Sequence, residues 1–347
     1  MASVNALAVE ERKAVRLADI RPVLERLAAG GKLVAPVAEA GGFAFRRVGQ
    51  AEKVRLDFYN TAESPKDLFF PQSEVLFSYD AAGIAVPEPA GEQVLLGIRP
   101  CDLAALPLLD RVFGEGPFRD PGYLARRERT VLVVVACDRP RASCFCTSFG
   151  LSPGHVAGAD VVLYPDEGGY LVRAQTEAGE ALMAEWPGEA AAPGEGAAVA
   201  ARYRSMETPL GRRIRLEGVA EALDGMFDHP MWEQIAARCL SCGICTYTCP
   251  TCYCFQLTDE AKGEAGKRVR CWDSCMFPEF TRMAGGHNPR SEKKARVRQR
   301  FMHKLNYFVR RWEEYLCVGC GRCVESCPVG LDIAYVIEAV QGVTARA

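Results

Sequence analysis

Hydrophobic residues are grouped in short blocks, separated by polar residues, along the first two-thirds of the chain. In residues 17–28 the apolar positions fall on one helical stripe, Leu17, Ile20, Val23, Leu24 and Leu27. Apolar runs of strand length occur at 33–37, 43–48, 74–78, 93–98 and 130–136. The last two runs flank a helical pattern at 102–113. Because a strand, a helix and a second strand in this order form a parallel βαβ unit, the pattern predicts an α/β domain with a mostly parallel sheet.

Two of these strands lead into cysteines. Cys101 comes shortly after the run at 93–98, and Cys137 follows the run at 130–136. The carboxyl ends of parallel strands share one edge of a sheet, so we expect both thiols at that edge. Cys144 and Cys146 lie on the next loop, which can fold back over it. We predict that the four thiols hold one iron–sulfur cluster. The alternatives are an all-cysteine zinc site and free buried thiols without metal.

Cysteine content is the unusual feature of the composition. The chain has 347 residues, of which 49% are hydrophobic and 25% charged, and it contains 16 cysteines. Charged residues at 10–13 interrupt the Ala-rich N-terminus, and the apolar run at 131–137 is too short to span a bilayer. We therefore expect a cytoplasmic protein without a membrane span. In that compartment the thiols bind metal or carry redox chemistry instead of forming disulfides.

Cysteines and charges divide the chain at the same place. Four cysteines lie in the first 230 residues and twelve between positions 239 and 327. Residues 231–347 contain 17 Lys and Arg against 12 Asp and Glu, a net +5, which leaves −7 for the rest of a chain of net −2. We predict an α/β domain over 1–225 and a cysteine-rich domain over 226–347. The Ala, Gly, Pro and Glu-rich stretch 186–200 is predicted to be a flexible loop inside the first domain.

A doubled cysteine motif carries the strongest functional signal. The pattern C-x2-C-x2-C-x3-C-P occurs at 239–250 and again at 317–328. This spacing is typical of bacterial two-cluster ferredoxins, in which the fourth cysteine of each run binds the other cluster. The predicted ligands of one 4Fe-4S cluster are Cys239, Cys242, Cys245 and Cys327. The predicted ligands of the second are Cys317, Cys320, Cys323 and Cys249. Two zinc ribbons are the alternative, which explains neither the third cysteine nor the Cys-Pro ending.

Positive charge in the second domain matches the charge of two such clusters. An oxidised cubane with four thiolates carries about −2, so two contribute about −4 against the +5 of residues 231–347. Eight of the basic residues lie in 293–311, where the apolar positions share one helical face, Val297, Phe301, Leu305 and Phe308. We predict an amphipathic helix packed on the domain with a solvated basic side, and no binding of nucleic acid.

A helical insertion of 66 residues, 251–316, is predicted between the two motifs, within a domain that is otherwise like a bacterial two-cluster ferredoxin. The insertion contains four further cysteines, Cys252, Cys254, Cys271 and Cys275. Their C-x-C and C-x3-C spacing matches no ligand pattern of known clusters. These cysteines could form an additional cluster, or they could surround the two predicted clusters without binding iron. The sequence leaves both uses open.

Motifs for substrate binding and catalysis are absent from the sequence. No G-x-G-x-x-G follows a predicted strand, no P-loop occurs, and the four histidines form no H-E-x-x-H or triad pattern. We therefore predict no catalytic residues and an electron-transfer subunit of a multi-subunit oxidoreductase. One alternative is a self-contained iron–sulfur reductase that binds substrate at the first domain. Another is an iron–sulfur sensor that binds nucleic acid through the basic helix.

Motifs in both halves resemble one family of iron–sulfur subunits. They are RPCDL at 99–103, HPMW at 229–232, CLSCGICTYTCPTCYCF at 239–255, WDSC at 272–275, AGGHNP at 284–289 and CVGCGRCVESCP at 317–328. The sequence is similar to the β subunit of cytosolic NiFe sulfhydrogenases and to the A subunit of anaerobic sulfite reductase. The resemblance implies an electron-transfer subunit with the two ferredoxin-type clusters and a third at Cys101, Cys137, Cys144 and Cys146. It also implies two partners, a flavin- and NAD(P)-binding subunit and a catalytic redox subunit.

Overall fold

The computed structural model describes residues 14–88, 91–154, 156–206 and 212–344. Its strands are β1 (Ala14–Leu17), β2 (Leu33–Glu39), β3 (Gly42–Arg47), β4 (Ser73–Asp80), β5 (Gly83–Ala85), β6 (Gln93–Ile98), β7 (Thr130–Val135), β8 (Val161–Asp166), β9 (Gly169–Ala174), β10 (Glu189–Ala190), β11 (Phe255–Lys262) and β12 (Ala265–Trp272). Its helices are α1 (Arg21–Ala29), α2 (Pro100–Leu103), α3 (Ala105–Gly114), α4 (Pro121–Glu128), α5 (Glu177–Met183), α6 (Glu195–Ser205), α7 (Val219–Asp224), α8 (Met231–Arg238), α9 (Ile244–Tyr247), α10 (Lys293–Met302), α11 (Phe308–Trp312), α12 (Arg322–Glu325) and α13 (Ile333–Thr344). None of the helices in these ranges has the length and apolar character needed to cross a membrane.

An eight-stranded sheet forms the centre of the first half of the chain, which here means the part up to residue 225. Its strand order is β10-β1-β9-β8-β7-β6-β2-β3. Its four central strands, β8, β7, β6 and β2, run parallel, and the strands towards both edges are antiparallel. Strand β6 is buried along its whole length, because an apolar core lies on each face of the sheet. The predicted α/β domain with a mostly parallel sheet is confirmed for these central strands.

Two predicted elements of the first half differ from the structure. The helix predicted over 17–28 begins only at Arg21, because residues 14–17 pair with β9 as strand β1. The loop predicted over 186–200 is wrong in part, since it contains β10 and the start of α6. Strand β10 pairs with β1, and the Glu195 carboxylate forms an ion pair with Arg16 at 2.5 Å. These contacts order a stretch whose composition alone indicates flexibility.

The predicted helical insertion is wrong in its first part. Residues 255–272 form a hairpin in which β11 pairs with β12, and β12 pairs further with β4. The resulting four-stranded sheet has the order β11-β12-β4-β5. Strand β11 is almost entirely exposed, although Phe255 and Leu257 alternate with polar residues at its start, and backbone pairing with β12 determines its structure. The later part is helical, in α10 and α11, with a π-helical turn, His303–Tyr307, between them.

The helix predicted over 293–311 supplies the core of the second half. Its predicted apolar face is confirmed as buried: Val297, Phe301, Leu305 and Phe308. Phe301 stacks on the fully buried Trp232 of α8, with ring centroids 6.5 Å apart. Residues of α7 and α13 complete the same apolar cluster. The cysteine motifs lie at the border of this cluster, so their loops rest on a packed helical core.

The two halves of the chain, up to and beyond residue 225, are joined by backbone hydrogen bonds, ion pairs and strand pairing. The Phe145 N–H donates to the Gly319 carbonyl at 2.9 Å. The Arg322 guanidinium forms an ion pair with the Asp102 carboxylate at 2.5 Å, and both side chains are buried. Strand β4 of the first half and β12 of the second lie in one sheet. The two predicted domains therefore share a sheet and a buried ion pair.

Replacing Gly319 by alanine tests the contact between the halves. Gly319 has a φ of +60°, and an added Cβ would lie 2.6 Å from backbone atoms of Phe145 and Cys146. Gly263 is a matched control, because it has a φ of +63° and nothing lies within 4 Å of its added Cβ. We expect Gly263→Ala to cost about 1 kcal/mol through backbone strain, and Gly319→Ala to cost roughly 2 kcal/mol more through the clash. Anaerobic urea denaturation followed by circular dichroism measures the difference. Equal costs would contradict the close contact.

Candidate metal centres

The two cysteine motifs fold into the same local structure. Ser241 and Gly319 occupy equivalent positions and both adopt left-handed backbone angles, with φ of 55° and 60°. Their N–H groups donate to Cys239 Sγ at 3.3 Å and to Cys317 Sγ at 3.5 Å. A helix of four residues follows each loop, α9 in the first motif and α12 in the second. The repeated sequence therefore forms two equivalent loops. In each loop a backbone N–H points at a cysteine sulfur, which is the arrangement needed for a hydrogen bond to the cysteine ligand of a cluster.

The first centre is a pocket lined by the four cysteines that the ferredoxin spacing groups together, Cys239, Cys242, Cys245 and Cys327. The Leu331 N–H donates to Cys327 Sγ at 3.2 Å. Arg300 lines the same pocket, and its buried Nε has no hydrogen-bond partner among the described residues. The buried guanidinium of Arg300 favours an anionic group in the pocket, because a buried charge without an opposite charge nearby costs free energy.

The second centre combines three thiols of the second motif with one of the first, Cys317, Cys320, Cys323 and Cys249. Burial is the main cause that raises the pKa of the first three, and the charge of Cys249 raises the pKa of each further. The Lys304 Nζ donates to Cys249 Sγ at 3.3 Å and to the Thr251 hydroxyl at 2.8 Å. Lys304 is 2% exposed, so this ammonium group is directed at sulfur inside the protein.

The third centre is a cavity at the carboxyl edge of the parallel strands β6 and β7. It is lined by the four cysteines of the first half, Cys101, Cys137, Cys144 and Cys146. Its volume of about 270 Å³ is far larger than a single water molecule or metal ion needs. Cys320 of the second centre also lines it, together with Arg99. Burial raises the pKa of the Cys137 thiol, and the Arg99 guanidinium opposes that shift.

Thiol chemistry and spacing fit iron–sulfur clusters at these centres better than single zinc ions. Among the described residues, no three Cys, His, Asp or Glu side chains converge closely enough to hold one metal ion. Four thiolates around zinc would lie about 3.8 Å apart, given Zn–S bonds of about 2.3 Å. A cubane spreads its ligands over four iron atoms and accepts a wider arrangement.

Burial also decides the protonation of the thiols. It raises the pKa to about 11 for Cys245 and to about 12 for Cys146 and Cys317. These thiols therefore keep their protons at neutral pH, and iron has to displace the protons when it binds.

The four cysteines of the insertion do not form one group. Cys275 lowers the pKa of the Cys254 thiol, and Cys252 lowers the pKa of the Cys249 thiol of the second centre, so the members of each pair are neighbours. Cys271 instead lies against Ser73 of β4, with its sulfur 3.4 Å from the hydroxyl oxygen. Three of the insertion cysteines thus come close to the second centre, and the remaining one belongs to the four-stranded sheet.

Buried cations around the thiols are the functional feature that the sequence pattern misses. Lys66, Arg300 and Lys304 are all buried and form no ion pair with a carboxylate within the described residues. The predicted solvated basic side of the 293–311 helix is therefore wrong for Arg300 and Lys304, and also for Arg296, which donates to backbone carbonyls. Arg310, nearer the end of the helix, is exposed as predicted. The net +5 of residues 231–347 is the one signal in the sequence that indicates such cations.

Known proteins resemble this chain in sequence over both halves. Residues 238–331 match the family of 4Fe-4S dicluster domains, so this part of the chain carries two 4Fe-4S clusters. The chain is 30% identical over 321 residues to sulfhydrogenase 2 subunit beta of Pyrococcus furiosus, a match that covers 91% of this chain and 94% of that protein. No solved structure shows a significant match. The chain belongs to the family of iron–sulfur β subunits of sulfhydrogenases.

Proposed function

We propose that the protein relays single electrons between a flavin- and NAD(P)-binding partner subunit and a catalytic partner such as a NiFe hydrogenase or a sulfite reductase. Each 4Fe-4S cluster, when bound, accepts and gives up one electron. In this proposal residues 226–347 hold two clusters at the first and second centres. Residues 1–225 supply the ligands of a third cluster at the third centre, Cys101, Cys137, Cys144 and Cys146. The chain supplies no catalytic residues of its own.

A continuous line of thiols carries this proposal. Cys101 and Cys320 line the same cavity, and the charge of Cys320 raises the pKa of Cys101 after the larger effects of burial and Asp102. At the other end of the line, the charge of Cys323 raises the pKa of Cys245 after the larger effect of burial. The second centre thus has neighbours in both of the other centres. This adjacency supports a path for electrons through the chain.

The surroundings of the first centre support contact with a partner protein. Cys242 is exposed, and the pocket that it lines includes two exposed apolar residues, Leu240 (62%) and Ile244 (38%). Exposed apolar side chains grouped around a functional centre are typical of protein interfaces. We therefore infer that one of the two partners docks at the first centre.

The lining of the third centre supports the alternative of a self-contained reductase less than it supports the relay. Three arginines that line its cavity are already paired, Arg139 with Asp138 at 3.3 Å, Arg141 with Glu325, and Arg322 with Asp102 at 2.5 Å. An anionic substrate would have to compete with these carboxylates. The remaining Arg99 acts on the Cys137 thiol, which favours a role as a counterion for a cluster.

Alanine variants test the exchange of ligands between the two motifs. We expect Cys327→Ala to remove the cluster that Cys239 helps to hold, which lowers the iron content by about four per chain. Adding Cys239→Ala should cause no further loss, because both residues belong to one cluster. Adding Cys317→Ala instead should bring the loss to about eight. Iron and sulfide assays on anaerobically purified protein measure these losses. The reverse pattern would show that each motif binds its own cluster.

An alanine at Cys101 tests the third centre. We expect this variant to lose about four iron atoms and to accept about one electron fewer in a dithionite titration. Cys271→Ala is the matched control, because that thiol lies against Ser73 on the four-stranded sheet, and it should change neither quantity. Full retention of iron in Cys101→Ala would return the cysteines of the first half to a structural role. Loss of zinc in place of iron would favour the zinc alternative.

The relay is tested with and without its partners. The isolated chain should contain no flavin and should not be reduced by NADH or NADPH, whereas dithionite should bleach its visible absorbance. The complex captured anaerobically through a tagged chain should be reduced by one of the two nucleotides, because the partner brings the flavin. Stoichiometric FAD or FMN in the isolated chain, or substrate turnover by it, would support the self-contained reductase instead.

A further inference from the structure

Lys304 holds the backbone at the entrance of the second cysteine motif. It lies in the π-helical turn His303–Tyr307, and such turns are rare in proteins but frequent at functional sites. Its carbonyl accepts from the Leu316 N–H at 3.0 Å, and its Nζ donates to the Leu316 carbonyl, also at 3.0 Å. Leu316 directly precedes Cys317. Lys304 therefore binds both polar backbone groups of the residue that leads into the motif at 317–328.

The ammonium group of Lys304 also contacts the last cysteine of the first motif. Its Nζ donates to Cys249 Sγ at 3.3 Å and to the Thr251 hydroxyl at 2.8 Å. That hydroxyl lies 3.3 Å from the same sulfur and donates its one proton to the Leu316 carbonyl at 2.8 Å. Thr251 and Leu316 are 65 residues apart in the sequence. The network therefore fixes the end of the first motif against the start of the second.

The charge of Lys304 is buried without a carboxylate partner among the described residues. An ammonium group has three N–H donors, and here they go to a sulfur, a hydroxyl and a carbonyl. The side chain is inside the protein, because Lys304 is only 2% exposed. A buried cation is costly unless an anion lies beside it. Its contact with sulfur therefore favours a thiolate at Cys249, which is the form that binds iron.

Lys66 contacts the same segment in a different way. It is 3% exposed and donates to the carbonyls of Thr246, Cys249 and Cys252 at 3.2, 2.9 and 3.0 Å. Within the described residues it hydrogen-bonds to no sulfur. Lys66 therefore holds the backbone around Cys249, whereas Lys304 acts on the sulfur itself. The first contact fixes where the residue lies, and the second also affects the charge on a cluster ligand.

We propose that Lys304 is the positioning residue of the second centre. It holds Cys249 against the three thiols of the second motif and raises the reduction potential of the cluster that they bind. The inference rests on the proposed relay, because the relay assigns Cys249 to the second centre. Reduction adds one electron, from a partner subunit or from dithionite, and makes the cluster more negative by one charge. A cation that donates to a ligand sulfur stabilises this reduced form more than the oxidised form.

Replacing Lys304 by methionine tests this role in the full-length holoprotein. Methionine keeps an unbranched apolar side chain and removes the ammonium group, so we expect the potential of one cluster in the dicluster domain to fall. The equilibrium constant of its reduction should decrease about tenfold, which corresponds to about 59 mV for one electron. EPR spectra recorded during an anaerobic redox titration measure the potential of each cluster. An unchanged potential would overturn the proposal.

Thr251→Val is the matched control for the network of hydrogen bonds. It is nearly isosteric and removes the hydroxyl between Lys304 and Leu316, but it leaves the ammonium group at Cys249 Sγ. We expect this variant to unfold at lower urea concentration and to keep the potential of the wild-type chain. A fall in potential as large as that in Lys304→Met would contradict the role of the ammonium group.

Two further variants decide the question if methionine prevents folding or removes the cluster. Lys304→Arg keeps the positive charge, and Lys304→Gln keeps an N–H donor without the charge. We expect the potential to be higher with arginine than with glutamine, because only arginine stabilises the added electron by its charge. Equal potentials in these two variants would refute the proposal.

Cys239→Ala identifies the cluster that responds to Lys304. In the proposed ligand exchange this variant removes the cluster of the first centre, so the signal that Lys304→Met shifts should remain in the double variant. If Cys239→Ala removes that signal, Cys249 belongs to the other cluster and the proposal is wrong. Failure of the relay is distinguishable, because it appears as missing reduction through the partner and leaves the potentials of the isolated chain unchanged.

Discussion

Buried positive charge is the constraint on which the second half of the structure depends. Arg300 points into the pocket of the first centre, Lys304 contacts the sulfur of Cys249, and Lys66 lies beside Cys252. An ion in a protein interior costs several kcal/mol unless opposite charge compensates it. Neutral thiols supply little compensation, and within the described residues no carboxylate pairs with these three cations. Oxidised clusters of about −2 each supply the missing charge, so cluster insertion and the folding of this half are coupled.

The need to compensate buried charge also explains how the two halves contact each other. Lys66 comes from the first half and lies among carbonyls and cysteines of the second. Arg322 comes from the second motif and pairs with Asp102, the residue next to Cys101. Several contacts between the halves therefore lie at the centres, and the cavity of the third centre is lined from both sides, by Cys101 and by Cys320. The shared sheet of β4 and β12 adds backbone pairing to these contacts.

The local sequence predicts the features that depend only on the spacing of residues along the chain. The equivalent loops at Ser241 and Gly319 follow from the repeated motif, and the position of Cys137 follows from the end of an apolar strand. The missed features depend on contacts between distant segments. Lys66 is 186 residues away from Cys252, and nothing around it in the sequence marks it as buried beside cysteines. Strand β11 is exposed along most of its length, so its pairing with β12 and not burial makes it a strand.

The buried cations also affect the reduction potentials of clusters that lie beside them. In the proposed relay the three centres have the same type of ligand set, so cysteine ligation alone does not distinguish their reduction potentials. A positive charge near a cluster stabilises the more negative, reduced form and raises the potential. Arg300 lies at the first centre, Lys304 at the second and Arg99 at the third, whereas Arg322 is neutralised by Asp102. In the proposed relay, cations that differ in their pairing therefore shift the potentials of the three centres by different amounts.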